Sequence, residues 1–172
     1  LNINNHVYTC FQSFFSGNAI EIMTKDEKWM QYAIDQALLA KDKAEIPVGA
    51  VLVFNNEIIS QAHNNPINLN DPTAHAEILA LRKASYKQKN YRLPRTTLYV
   101  TLEPCMMCLG ALIHARIERI VFGASDSKLG VCGSSIDLSS MLSFNHRVII
   151  DGGILENECK TILQSFFKRR RK

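Results

Sequence analysis

The stretch T-L-Y-V-T-L-E-P-C-M-M-C-L-G-A-L-I-H-A-R-I, residues 97–117, with Glu118 to Gly123 after it, decides the fold. Thr97 to Thr101 is short, apolar and β-branched, which predicts a strand. Glu103-Pro104-Cys105 ends it and starts a helix that the pattern carries to about Ala115. Glu118 to Gly123 reads as the next strand. Strands alternating with helices mean an α/β domain whose sheet is covered on both faces.

Working outward, Pro47-Val48-Gly49 leads into a short buried strand, Ala50 to Phe54. Asn55-Asn56 predicts a hairpin turn, and Glu57 to Ala62 returns as a second strand. This hairpin makes the sheet mixed rather than all parallel. Asn64 to Asn70 is a polar loop. Asp71-Pro72-Thr73 predicts a helix start, with Asp at the N-cap and Pro behind it, running to about Ser85. A fifth strand is expected at Arg147 to Ile150. The last helix begins near Ile154, with Leu155, Cys159, Ile162, Leu163 and Phe166 on one stripe. Near the other end, Thr24-x-x-Glu27 is a capping box. It opens a helix with Trp29, Met30, Ala33, Ile34, Ala37 and Leu38 on one face. The expected architecture is a three-layer α/β/α sandwich around a mixed five-stranded sheet.

The chain has 172 residues, 47% of them apolar, enough for one domain with a true core. Disorder and collagen-like composition are excluded. The longest apolar run, Ile46 to Phe54, is far below the ~18–20 residues a membrane-spanning helix needs. Leu1 to Ile22 contain one charge, Glu21, and no Lys or Arg, so the basic opening of a secretory signal is missing. The expected compartment is the cytoplasm. Residues 1–22 read as an upstream extension before a start at Met23, or alternatively as an ordered arm. A domain over 23–167 follows, and then a basic tail over 168–172. Net charge is +4, yet without Lys168 to Lys172 the chain holds 15 basic against 16 acidic residues. That tail suggests a polyanionic partner or a solubilising end.

Three residues have the types and spacing of zinc ligands: His75, Cys105 and Cys108. Cys-x-x-Cys places two sulfurs on the first turn of the helix that Pro104 initiates. His75 is expected on the first turn of the helix that Pro72 initiates. Three protein ligands leave a position for water, which suits catalysis better than structure. Glu77, two residues past His75, can lean over the same helix rim, take a proton from activated water and deliver it elsewhere. Alone, Cys-x-x-Cys would fit thioredoxin-like redox chemistry or structural zinc equally well. The redox reading leaves His75-Ala76-Glu77 unexplained, and a structural site wants a fourth ligand in a paired motif. Cys10, Cys132 and Cys159 read as bystanders. His-x-Glu followed by Pro-Cys-x-x-Cys is the signature of the zinc nucleobase deaminases.

Over Asp26 to Arg171 the sequence resembles the bacterial tRNA-specific adenosine deaminases. The resemblance is carried by I-P-V-G-A-V-L-V (46–53), N-D-P-T-A-H-A-E-I-L-A-L-R (70–82), N-Y-R-L (90–93), residues 97–117, V-F-G-A (121–124) and N-H-R-V (145–148). It implies a cytidine deaminase-like fold and a homodimer with one Zn²⁺ per subunit. It also implies conversion of the wobble adenosine, position 34 of a tRNA, to inosine, with a tRNA for arginine expected. On this resemblance His75, Cys105 and Cys108 hold zinc and Glu77 shuttles protons. Asn64 grips the purine edge, or else caps its own loop. Asp126, Lys128, Phe167, Arg170 and Arg171 meet the anticodon stem-loop. Val131, Cys132 and His63 depart from the family pattern. The rivals are a deaminase of free guanine or cytosine, and a non-catalytic RNA-binding protein with structural zinc.

Overall fold

A computed structural model describes residues 23–141 and 144–170 of the chain. The expected 1–22 extension, Cys10, and residues Arg171 and Lys172 of the tail lie outside the described residues. The elements are α1 (Lys25–Asp42), β1 (Gly49–Phe54), β2 (Glu57–His63), α2 (Pro66–Leu69), α3 (Ala76–Gln88) and β3 (Thr97–Leu102). They continue with α4 (Met106–His114), β4 (Arg119–Ala124), α5 (Leu138–Met141), β5 (Ile149–Gly152) and α6 (Glu156–Arg170).

The five strands form one sheet in the order β2-β1-β3-β4-β5. β1 pairs antiparallel with β2 and β3, whereas β3/β4 and β4/β5 are parallel. The β1–β2 connection, Asn55-Asn56, has positive φ at both residues, as a type I′ hairpin turn requires. The apolar runs follow from burial on both faces. Ala50, Leu52, Leu98, Val100, Ile120 and Phe122 point toward α3 and α4. Their neighbours Val51, Val53, Tyr99 and Val121 point toward α1 and α6. With no solvated face, polar alternation disappears and the strands read as continuous hydrophobic segments.

On the α1 side, Thr24 and Glu27 form the expected reciprocal capping box. Trp29, Met30, Ala33, Ile34 and Ala37 are buried, but Leu38 is exposed, and Gln36 and Ala40 are covered instead. The buried stripe is set by how α1 lies across β1. At Gly49 a Cβ would overlap Ala33 O and Ala37 N of α1, so the helix rests on bare backbone there. Because the obstructing atoms are backbone, Gly49→Ala is expected to destabilise the fold by about 1–3 kcal/mol or more. Urea unfolding midpoints of the two proteins check it.

A polar strut ties the layers together. Arg119 on β4 donates to both carboxylate oxygens of Asp26 on α1 (2.9 and 2.8 Å) and to Asp151 on β5 (2.6 Å). Tyr99 donates its hydroxyl to Asp26 (2.7 Å). The Arg119 hydrogen bonds hold the Asp26 carboxyl below its ordinary range against the opposing pull of burial.

Several boundaries differ from expectation. Asp71 accepts from the Thr73 N–H (2.8 Å) and hydroxyl (2.7 Å), capping a turn of its own, and α3 starts only at Ala76. A four-residue helix, α2, occupies the expected polar loop; the buried Glu45 fastens it by accepting from Asn68 N and Nδ2 (2.9 and 2.8 Å). β5 lies two residues later than expected, and α6 begins at Glu156.

Candidate active site

The site lies beyond the carboxyl end of β3, where two helices begin. His75 is the N-cap of α3 and Cys105 the N-cap of α4; neither sits in a first turn, as the sequence suggested. N-cap residues have extended backbone, so both side chains project past the helix end rather than along its flank. Cys108 follows in the first turn of α4, fully buried.

The two caps meet. His75 Nδ1 is 3.5 Å from Cys108 Sγ and 3.8 Å from Cys105 Sγ, and all three ligand atoms lie within 4.8 Å of one another. Tetrahedral zinc, at about 2.3 Å from sulfur and 2.0–2.1 Å from nitrogen, separates S and N ligands by about 3.6 Å. The three atoms therefore fit a tetrahedral metal ion, and they are the only such group among the described residues. Hydrogen bonding from Cys108, and then from His75, holds the Cys105 thiol down to about 4. The bond to Cys105 and burial push the Cys108 thiol up. The hydrogen bond to Cys105 likewise raises His75. A dication held here would favour both sulfurs as thiolates.

Glu77 is brought to the same place. Its side chain is 3% exposed, and one carboxylate oxygen, Oε2, is buried without a hydrogen-bond partner among the described residues. Burial pushes its pKa up, the main influence on it, while His75 pulls the other way. An orphaned carboxylate oxygen beside a metal-capable triad is a costly arrangement for stability alone. It suits a group that handles protons.

Asn64 has a structural task. Its Oδ1 accepts from Ala76 N (2.8 Å), so it satisfies a free N–H at the start of α3 and fixes the helix that carries His75 and Glu77. The oxygen is thus engaged, and the amide nitrogen makes no hydrogen bond among the described residues. His63, next to it, bonds through Nδ1 to Asn64 O (2.8 Å) and through Nε2 to Lys43 Nζ (3.2 Å).

The remaining expected residues are spread around this centre. Asp126 Oδ1 accepts from the N–H groups of Lys128 and Leu129 (2.9 and 3.2 Å), shaping the turn that leaves Lys128 exposed. Phe167 is exposed on α6. Arg170 turns back onto the body, donating to Ala44 O (2.7 Å) and lying over the Phe166 ring.

One residue was missed by the sequence reading. Glu103, buried just before Cys105, accepts from Cys132 N and Ser134 N through Oε1 and from Asp126 N through Oε2 (2.8, 3.1 and 3.0 Å). It braces the whole 126–134 loop against the site, and Gly130 leaves room for it, since a Cβ there would overlap its carboxylate. The only sequence signal is its place in Leu102-Glu103-Pro104-Cys105, where a helix start explained it equally well.

A mixed sheet sandwiched by helices, with this triad and carboxylate at two converging helix starts, defines a nucleobase-type deaminase able to hold a metal ion. The MafB19-like deaminase family model matches residues 24–171. The tRNA-specific adenosine deaminase of Haemophilus influenzae is 50% identical over 147 residues, covering 85% of each chain. A solved structure from studies of A-to-I editing by tRNA:A34 deaminases at the wobble position of transfer RNA superposes with TM-score 0.77. It is 40% identical, covering 79% of this chain and 99% of its own. Guanine deaminase from Bacillus subtilis is more distant, with TM-score 0.58 at 31% identity, covering 85% of this chain and 95% of its own. The chain belongs to the tRNA-specific adenosine deaminases.

Proposed function

We propose that this protein hydrolytically deaminates the wobble adenosine of a tRNA anticodon to inosine, and that Glu77 carries the protons. The buried Glu77 oxygen, without a partner among the described residues and beside His75, Cys105 and Cys108, is the observation that supports this reading most directly. Zinc held by the triad would supply water activation, bringing the pKa of water toward about 7. Glu77 accepts a proton from the attacking water and delivers it to purine N1. It next takes the remaining proton from the new C6 hydroxyl and passes it to the amino group on C6. The C6–O bond forms, the C6–N bond breaks, and ammonia leaves. Asn64 spends its oxygen on Ala76 and offers its amide nitrogen as a donor to the purine edge.

An anticodon base is already outside a duplex, so moving it into a pocket costs only a few kcal/mol. Asp126 shapes, and Lys128 carries charge on, the loop that meets the stem-loop. Phe167, Arg170, Arg171 and the rest of the tail extend that contact, supplying affinity more than sequence reading. The working enzyme is a homodimer in the cytoplasm, its deaminase domain spanning 23–167, with an arginine tRNA as substrate.

The test is inosine formation on an anticodon stem-loop, run beside free adenine, guanine and cytosine. Turnover of the stem-loop alone is expected. Deamination of a free base with no action on the RNA would replace this reading with a free-base deaminase.

A further inference from the structure

We infer that the far end of α3 is a second RNA-contact surface, gripping the substrate tRNA outside its anticodon loop; this rests on the tRNA reading above. The stretch K-A-S-Y-K-Q-K-N-Y-R-L-P-R, residues 83–95, holds five cations and no acid. With it and residues 168–172 set aside, the chain has 10 basic against 16 acidic residues. The excess positive charge is therefore confined to two places, and only one of them is the tail.

The five cations, Lys83, Lys87, Lys89, Arg92 and Arg95, are all exposed. Among the described residues none is paired with a carboxylate, although four ion pairs form elsewhere. Two aromatics stand among them: Tyr86 is 89% and Tyr91 65% exposed. Lys83, Tyr86 and Lys87 share one helix face by their spacing. Beyond the helix, Arg92 lies over the Tyr91 ring (5.2 Å) and Arg95 over Phe54 (5.3 Å). Both arginines line a hollow of about 170 Å³ together with Phe54 and Asn90.

Cations at the end of a helix also complement its dipole, which accounts for Lys87 and Lys89. It does not account for Arg92 and Arg95, which lie past the helix, or for two tyrosines left in solvent. Stacked guanidiniums and open aromatic faces next to unneutralised charge suit RNA, whose bases stack and whose phosphates pair with arginine. The surface is also remote from the chemistry. α3 has 13 residues, so its far end lies about 20 Å from His75. A base seated at the triad does not reach it, whereas another part of the same tRNA can.

The test compares full-length tRNA with the isolated anticodon stem-loop, using the full chain and the variant Lys87→Glu/Arg92→Gln. Arg95 is left alone because its φ is +60°. For the variant, KM on full-length tRNA is expected to rise roughly five- to tenfold with kcat unchanged. The slope of log affinity against log salt should shrink by about 1.4–1.8 for two lost phosphate contacts. Stem-loop kinetics should stay within about twofold, which also shows that the variant is folded. A variant equal to the unmodified protein on tRNA, or one equally impaired on both RNAs, overturns the second surface. An unmodified protein inert on both RNAs would instead remove the tRNA reading, and this inference with it.

Discussion

Glu77→Gln is expected to lower turnover by ~10²–10⁴-fold, the usual reach of general acid–base catalysis, and by more if one carboxylate serves every transfer. The amide matches the carboxylate in shape and hydrogen-bonds as well, but cannot accept a proton and return it. Burial argues that nothing else breaks. The Glu77 side chain is almost fully enclosed, with an oxygen that no described donor reaches, so a neutral amide relieves a desolvated charge instead of creating one. The thermal midpoint should be unchanged or higher, with metal content the same as in the unmodified protein. Loss of activity with kept or improved stability is the signature of a group retained for chemistry. Single-turnover inosine formation, read beside metal analysis and a melting curve, separates the cases. Turnover within about tenfold of normal would remove Glu77 from the mechanism, because acid–base roles of this kind exceed that loss.

The same enclosure explains what was legible in the sequence. Strands buried on both faces must be apolar throughout, so β1, β3 and β4 stand out as runs, and Asn55-Asn56 marks the hairpin through its own backbone preference. The triad and Glu77 are legible because four chemistry-bearing residues occur in two short motifs. Their positions at helix starts are less so. Asp71-Pro72 carries every local mark of an N-cap, but the side chain spends itself on Thr73 in a turn, and the true cap is His75. An Asp side chain serves turns and helix starts by the same hydrogen bond, so local pattern alone does not separate them. The other misses share a different cause, contacts between residues far apart in sequence. α2 depends on Glu45 reaching Asn68, and the 126–134 loop depends on Glu103. Asn64 likewise owes its place to Ala76, twelve residues away. Buried carboxylates that brace loops leave no periodic trace.

Replacing any one of His75, Cys105 or Cys108 by Ala is expected to strip the site of metal and abolish turnover. Three protein ligands hold a catalytic zinc, and removing one leaves two, at the cost of both a bond and the closed S–S–N arrangement. Changing residues that merely orient metal ligands costs ~10–100-fold in affinity or activity, so deleting a ligand itself should exceed that. Purified protein should carry one zinc per chain, and each alanine variant well under a tenth of that after dialysis. Cys108→Ala should also lower stability, because Cys108 is fully buried in the first turn of α4; Cys105, only partly buried at the helix start, should cost less. The control is Cys132→Ala. Cys132 is near the site, but it is not among the three converging ligands, and burial with the charge of Glu103 pushes its thiol up to about 12. Cys132→Ala should therefore keep its zinc. Full zinc occupancy in Cys105→Ala, or loss of zinc in Cys132→Ala, would place the metal on a different set of ligands.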